Sequence, residues 1–194
     1  MTKSHPPIKT KNIKKRSREY LTQDEIEKLF FAAKSIGRHG HRDATMIMVG
    51  YHHGLRVSEL VNLKWDQVDL KSGNIHVQRK KNGSPTTQPI PGKEVRSLRR
   101  ISREYSETQF VFVTERKGPL TDSTFRKIVA RAGEKAGLGL SIHPHMLRHS
   151  TGFKLANDGQ DTRSIQLYLG HKNIQHTVKY TELSPDRFKN FFKD

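Results

Sequence analysis

Four residues in the C-terminal half of the chain could act together on a phosphate. His145 and Arg148 stand three apart in His143-Pro-His-Met-Leu-Arg148-His149; His171 follows in Leu169-Gly-His171, and Tyr180 closes the set. Phosphodiester transfer needs a nucleophile, positive charge against the extra negative density on the phosphate, and a proton for the leaving oxygen. Tyr180 offers the nucleophile. Arg148 offers the charge, because a guanidinium donates two parallel hydrogen bonds to phosphate oxygens and never loses its proton. A phenol has a free pKa near ~10, so it attacks poorly unless cations and a base lie close. Tyr168 also lies nearby, but it sits on the apolar face before Gly170 and reads as packing. A metal route would need clustered carboxylates, and the acids of this chain do not cluster in sequence. His145 and His149 are four apart, a spacing that can chelate zinc, yet no acid or Cys completes such a site. No metal or other cofactor is expected.

Several elements must position these groups. The pattern Thr22-Gln-Asp-Glu25 predicts a capping box at a first helix with Ile26, Leu29, Phe30 and Ala33 on its inner face. A second helix is expected from about Arg42 to His53, ended by Gly54 in a left-handed conformation. A third begins at once, with Arg56 at its start, where a side chain can be placed rigidly. The period then changes. Val68–Leu70, Ile75–Val77 and Thr86–Ile90 read as strands, with turns at 71–73 and at Asn82-Gly83-Ser-Pro85. Lys80 and Lys81 stand just before that second turn. A basic amphipathic helix carries Val95, Leu98 and Ile101. Phe110–Val113 reads as a strand or extended segment. Asp122 or Ser123 is expected to cap the next helix, with Gly137 after its end. Helices over about Met146–Asn157 and Thr162–Leu169 follow, and Asn173 caps a last short helix holding Tyr180. The fold class is therefore mainly α (α+β), with one small antiparallel three-stranded sheet.

The chain has 194 residues, 32% of them hydrophobic, and 36 Lys plus Arg against 19 Asp plus Glu, a formal net charge of +17. That length suits one domain with short appendages. That charge points to nucleic acid. No apolar run is long enough to span a bilayer and no leader is visible near Met1, so a membrane partner is not expected and a cytoplasmic location is. There is no Cys, hence no disulfide framework and no thiolate site. The first 19 residues hold Lys and Arg with no acid before Glu19, and read as a flexible basic arm.

Taken together, Gly54-Leu-Arg56-Val-Ser-Glu59-Leu, Lys81 at the hairpin, His145-Met-Leu-Arg148-His149, Leu169-Gly-His171 and Tyr180 resemble the catalytic domain of the tyrosine recombinase (phage integrase) family. The resemblance covers roughly Tyr20 to Tyr180 and rests on order and spacing, not on any one piece. Within the family the chain is most similar to the small fimbrial-switch DNA invertases. His143-Pro-His-Met-Leu-Arg-His-Ser150, Asp161-Thr-Arg-Ser-Ile-Gln-Leu-Tyr-Leu-Gly-His171 and His176-Thr-Val-Lys-Tyr-Thr181 carry that closer match. Like those invertases, the chain has no room before Tyr20 for a separate DNA-clamping domain.

The resemblance implies a set of roles. Tyr180 attacks the scissile phosphate to form a 3′-phosphotyrosine, Arg56 and Arg148 clamp the non-bridging oxygens, and Lys81 protonates the leaving 5′-oxygen. His145 assists Tyr180 as base or orienter, and His171 hydrogen-bonds the phosphate. Glu59 and His149 support from behind. Lys80 adjoins Lys81; Lys81 is preferred because it directly precedes Asn-Gly, where the family places its lysine. The expected organisation is a basic arm over 1–19, the catalytic domain over 20–184 and a helical tail over 185–194. Phe188, Phe191 and Phe192 suit that tail either to packing in cis or to docking on a neighbouring protomer. The implied partners are double-stranded DNA with specific inverted-repeat sites, four protomers in a synaptic complex, and accessory DNA-bending proteins. The implied place is the bacterial nucleoid and the implied outcome is inversion. Integration, excision, chromosome-dimer resolution, a type IB topoisomerase and a regulator that no longer cuts are the alternatives.

Overall fold

The structure is a computed structural model describing residues 18–79 and 83–182. Most of the basic arm, the hairpin residues Lys80, Lys81 and Asn82, and the tail after residue 182 lie outside the described residues.

Thr22 opens α1 (Gln23–Lys34). Its hydroxyl accepts from the Glu25 N–H at 3.4 Å, and the Glu25 carboxylate accepts back from the Thr22 N–H at 2.8 Å. This is the reciprocal box expected from the sequence. Next comes α2 (Gly40–His52), which starts two residues ahead of the expected Arg42. Arg42 is drawn inside it, pairing with Asp43 at 2.7 Å and donating to the Val113 carbonyl at 2.9 Å. Gly54 then turns the chain at φ +55°. A Cβ there would sit 2.5 Å from a Leu169 methyl, so glycine serves both the turn and the close approach of a later helix. The turn delivers Arg56 as the residue before α3 (Val57–Val61).

A single 3₁₀ turn (Trp65–Gln67) leads into β1 (Val68–Asp69), β2 (Asn74–Val77) and β3 (Thr86–Pro89), an antiparallel sheet in the order β1-β2-β3. Val68 faces Ile75, and Ile75 faces Gln88. After the sheet comes α4 (Gly92–Glu104). Val111 to Val113 are buried, but Phe110 to Val113 forms no strand and makes two isolated bridges, Phe110 to Lys64 and Val113 to Pro119. The cap of α5 (Asp122–Lys135) is Thr121, not Asp122 or Ser123 as expected. Thr121 has the extended backbone a cap requires and accepts from the Thr124 N–H at 3.1 Å. Asp122 thereby falls in the first turn, where its charge favours the helix dipole.

Three helices complete the described fold: α6 (Pro144–Asn157), α7 (Thr162–Leu169) and α8 (Gln175–Glu182). Asp161 caps α7, and Gly170 ends it in the left-handed conformation. Asn173 accepts from the Gln175 N–H at 2.9 Å at the start of α8. The main core joins Ile26 and Leu29 of α1, Ile47 of α2, Leu60 of α3, Phe112 and Phe125. A separate small cluster unites Ala156, Ile165, Leu169 and Tyr180, one side chain or more from each of α6, α7 and α8. Burying an aliphatic side chain of this size stabilises by about 1.5–3 kcal/mol, so the small cluster holds three short helices together. Tyr180 is part of that cluster.

Candidate active site

The cluster is built around Arg148. This side chain lies in the second turn of α6, is 2% exposed, and donates to the Gly54 carbonyl at 2.5 Å and to the Leu169 carbonyl at 2.7 Å. One guanidinium therefore ties α6 to the turn before α3 and to the end of α7. Burial pushes the Arg148 pKa down to about 9, and the charges of Arg79 and Arg56 add to that fall. A guanidinium under such pressure is still charged at neutral pH and gains from an incoming anion.

Arg56 is held differently. Its backbone N–H and its Nη1 both donate to Glu59, each at 2.9 Å. Burial would raise the Glu59 pKa, but the Arg56 N–H and the Arg79 and Arg56 guanidinium groups hold it below the usual carboxylate range. Glu59 is thus a buried anion with its charge aimed at two arginines.

The second of those arginines is one that sequence reasoning missed. Arg79 is buried just past β2. It donates to Glu59 at 3.0 Å, to the Gly54 carbonyl at 3.3 Å, to the His53 carbonyl at 3.1 Å and to the Tyr168 carbonyl at 2.5 Å. In sequence it is hidden in Gln78-Arg-Lys-Lys81, which reads as a basic hairpin tip. The signal that could have found it is the period of the strand: Ile75, Val77 and Arg79 alternate inward, while His76 and Gln78 are exposed.

Tyr180 lies in α8 and is only 1% exposed. Its hydroxyl oxygen is 2.8 Å from His149 Nδ1. The Phe153 ring meets it edge-on at 5.1 Å, and the His171 ring stacks on it at 6.3 Å, both between centroids. Gly152 makes this possible, since a Cβ there would come within 2.6 Å of the Tyr180 ring. Burial pushes the Tyr180 pKa up to about 12, against the pull of Arg148. The phenol is therefore neutral, and so is His149, whose own pKa burial and neighbouring His145 push down to about 3; which of the two donates in their hydrogen bond follows the His149 tautomer.

His171 follows Gly170, and its Nδ1 lies 2.8 Å from the Thr177 hydroxyl of α8. Burial, then Arg148 and Arg56, push its pKa down to about 3. His145 sits one turn before His149 with its ring edge-on at 4.3 Å. It is exposed, so it faces any ligand approaching the cluster. Arg56, Arg148, His145, His149, His171 and Tyr180 are thus brought into one neighbourhood, with Glu59 behind. Lys81 lies outside the described residues. The residue touching the Tyr180 hydroxyl is His149, whereas the family resemblance implies that assistance for His145. Tyr168 packs as expected, its hydroxyl donating to the His52 carbonyl at 2.8 Å. Among the described residues no three His, Asp or Glu side chains converge as metal ligands.

Residues 19–187 match the phage integrase family. The chain belongs to that family. It is 44% identical to the type 1 fimbriae regulatory protein FimB of Escherichia coli (strain K12) over 178 residues, covering 89% of this chain and 88% of that protein. It is 38% identical to FimE of the same strain over 182 residues, covering 91% of each. Among solved structures, the crystal structure of XerA recombinase superposes with a TM-score of 0.78 at 28% identity, over 90% of this chain and 65% of that one. The chain thus spans about two thirds of that recombinase but nearly the whole length of the fimbrial regulators. This tyrosine recombinase also has no helix, among its described residues, long and apolar enough to cross a membrane.

Proposed function

We propose that the chain is a site-specific DNA recombinase of the fimbrial-switch type, inverting a segment between inverted repeats. The observation that carries the reading is the placement of the Tyr180 hydroxyl against a neutral histidine, within electrostatic reach of Arg148.

The scissile phosphate would enter the positive field of Arg56 and Arg148. Arg56, Arg79 and Arg148 with Glu59 give a charge excess of two, a neighbourhood that a phosphodiester complements. Tyr180 loses its proton to a neighbouring histidine, His149 or His145, as its oxygen bonds to phosphorus. The P–O5′ bond breaks, and Lys81 returns a proton to the 5′-oxygen. The product is a 3′-phosphotyrosine and a free 5′-hydroxyl, with the energy of the broken bond kept for rejoining. His171 donates to a phosphate oxygen. The reverse step on a partner strand completes exchange, with four protomers on two sites, accessory DNA-bending proteins, and the bacterial nucleoid as the place of action. The basic charges over 1–19 add phosphate contacts that strengthen binding at low salt.

A suicide DNA substrate with a nick beside the cleavage position of a cognate repeat tests the reading. Wild type should become covalently joined to the DNA, and Tyr180→Phe should bind but form no adduct. No adduct from wild type on any cognate repeat would sink the assignment. Relaxation of supercoiled plasmid without a specific sequence would point to topoisomerase chemistry instead.

A further inference from the structure

We propose that Arg79 is a positioning residue for strand cleavage, fixing Arg56 through Glu59; the proposal rests on the recombinase reading above. Arg79 and Arg56 share one carboxylate: Arg79 Nη1 donates to Glu59 Oε2 at 3.0 Å, and Arg56 Nη1 donates to Oε1 at 2.9 Å. Oε2 also accepts from the Arg56 backbone N–H at 2.9 Å. Glu59 is therefore gripped on one side by a buried cation and presents its other oxygen to Arg56.

The two ends of this bridge differ in freedom. The Arg79 side chain is fully buried, while that of Arg56 is 29% exposed. Arg79 cannot turn outward to meet a phosphate, because three backbone carbonyls, from the residue after α2, the turn before α3 and α7, hold its two Nη groups, while its Nε is buried without a partner. Its stem is also confined. A Cβ on Gly170 would meet Arg79 Cγ at 2.5 Å, and one on Gly83 would meet Arg79 Cβ at 2.8 Å. Two glycines thus leave room for this one side chain. Arg56 has no such frame. Glu59 holds its guanidinium, and Arg79 is the buried cation that grips that carboxylate from behind.

Stability also draws on this arginine, since removing one partner of a buried ion pair and leaving the other behind is strongly destabilising, although Glu59 would keep its contacts to Arg56. Two of the three carbonyls have a second donor: Gly54 accepts from Arg148 and Tyr168 accepts from Gln88. A methionine at position 79 would therefore take from the buried Glu59 one of its two cations, and from the His53 carbonyl its arginine donor. What it would remove from function is the fixed orientation of Glu59, and through it the aim of the Arg56 fork. A misplacement of order 1 Å in a clamp can cost about 100-fold in rate.

The test measures single-turnover cleavage of the nicked suicide substrate and, separately, DNA affinity and melting temperature for the full chain. Arg79→Met should melt below wild type, but at a temperature where both are fully folded it should bind DNA as wild type does and cleave about 100-fold more slowly. Arg79→Lys, which restores one donor to Glu59, should recover part of that loss, and Glu59→Gln should reproduce the Met defect with Arg79 in place. In an Arg56→Lys background, Arg79→Met should cost no more than about threefold further, because interacting residues fail to add. Equal cleavage by wild type and Arg79→Met overturns the proposal. So does an undiminished loss in the Arg56→Lys background, or a loss that tracks melting and DNA affinity. No adduct from wild type would instead overturn the recombinase reading itself.

Discussion

His149 Nδ1 stands 2.8 Å from the hydroxyl oxygen of Tyr180, in the interior of the cluster formed by α6, α7 and α8. The Tyr180 hydroxyl is thus held against a neutral imidazole, with its ring almost out of solvent. Raising a phenol pKa from its ordinary 10.0 to about 12 disfavours the attacking tyrosinate by roughly 3 kcal/mol. A nearby phosphate brings more negative charge, so the arginines and the loss of this proton must offset that cost together.

His149→Ala should loosen this storage. Water would enter beside the hydroxyl, and the Tyr180 pKa should fall from about 12 toward the ordinary value near ~10. Ultraviolet titration of tyrosinate, with Tyr180→Phe subtracted, reads this directly. Leaving a buried hydroxyl without its partner costs about 1–3 kcal/mol, so the melting temperature should fall as well. A Tyr180 titration unchanged by the substitution would mean that His149 does not control the proton.

The sequence made the outer frame of this arrangement legible because local rules settle it. The Thr22–Glu25 box, Gly54 at φ +55° and Gly170 at φ +65° are positions where one residue type meets one backbone need. Arg56, Arg148, His171 and Tyr180 stand out through the resemblance of their motifs to the family's. What was hidden depends on contacts between distant segments. Arg79 looks like part of a basic run until the sheet turns it inward beneath Gly170. His149 and His145 share one face of α6, and only the position of α8 decides which one reaches the hydroxyl. The α5 cap moved by one residue because Thr121 and Asp122 are both competent, and the backbone angles chose Thr121.

Stability should fall as the solution is acidified from neutral pH. His149 and His171 are held near pKa 3 in the fold, down from 6.5. Between those values the unfolded chain takes up protons that the folded chain refuses, so unfolding is favoured as pH drops. The stabilisation is full above about 6.5 and is lost progressively down to the folded pKa, with a slope approaching about 1.4 kcal/mol per pH unit for each fully buried histidine. His149 is 8% exposed and should approach that slope, while His171 is more open and is screened. His145 is exposed and should add little. Glu59 and Glu94, held below the usual carboxylate range, act in the same direction at lower pH. Chemical denaturation at pH 7.5, 6 and 5 measures the slope, and His149→Gln should flatten it. Stability that is level or rising across that window would contradict the burial of neutral histidines.

Lysine should separate the two clamp arginines. Arg148 bridges the Gly54 and Leu169 carbonyls from a buried position, and an ammonium cannot reproduce a two-pronged planar fork. Arg148→Lys should leave the Leu169 carbonyl short of a donor, costing about 1–3 kcal/mol. That lowers the melting temperature by several degrees in a chain of this size. Arg56 is partly exposed and bonded to Glu59, so Arg56→Lys should change stability by less than about 1 kcal/mol. Both variants should lose cleavage. Equal melting temperatures for the pair would show that Arg148 is not a structural cross-link.

Gly152→Ala offers the sharpest check on how Tyr180 is stored. In an exposed helix interior, Gly to Ala is stabilising by about 1 kcal/mol. Here the new Cβ would lie 2.6 Å from Cε2 and 2.7 Å from Cδ2 and Cζ of the Tyr180 ring. The ring is flanked by Phe153 and His171 and cannot bend, so Tyr180 and α8 must shift away from α6 together. Overpacking of this kind costs about 1–3 kcal/mol, which reverses the sign of the ordinary substitution. Gly152→Ala should melt below wild type, and its Tyr180 should become open to iodination and titrate nearer ~10. The His149 contact at 2.8 Å should be broken by the same movement, so Gly152→Ala and His149→Ala should not add in melting temperature. If Gly152→Ala melts higher and Tyr180 stays protected, the ring does not rest against α6 as described.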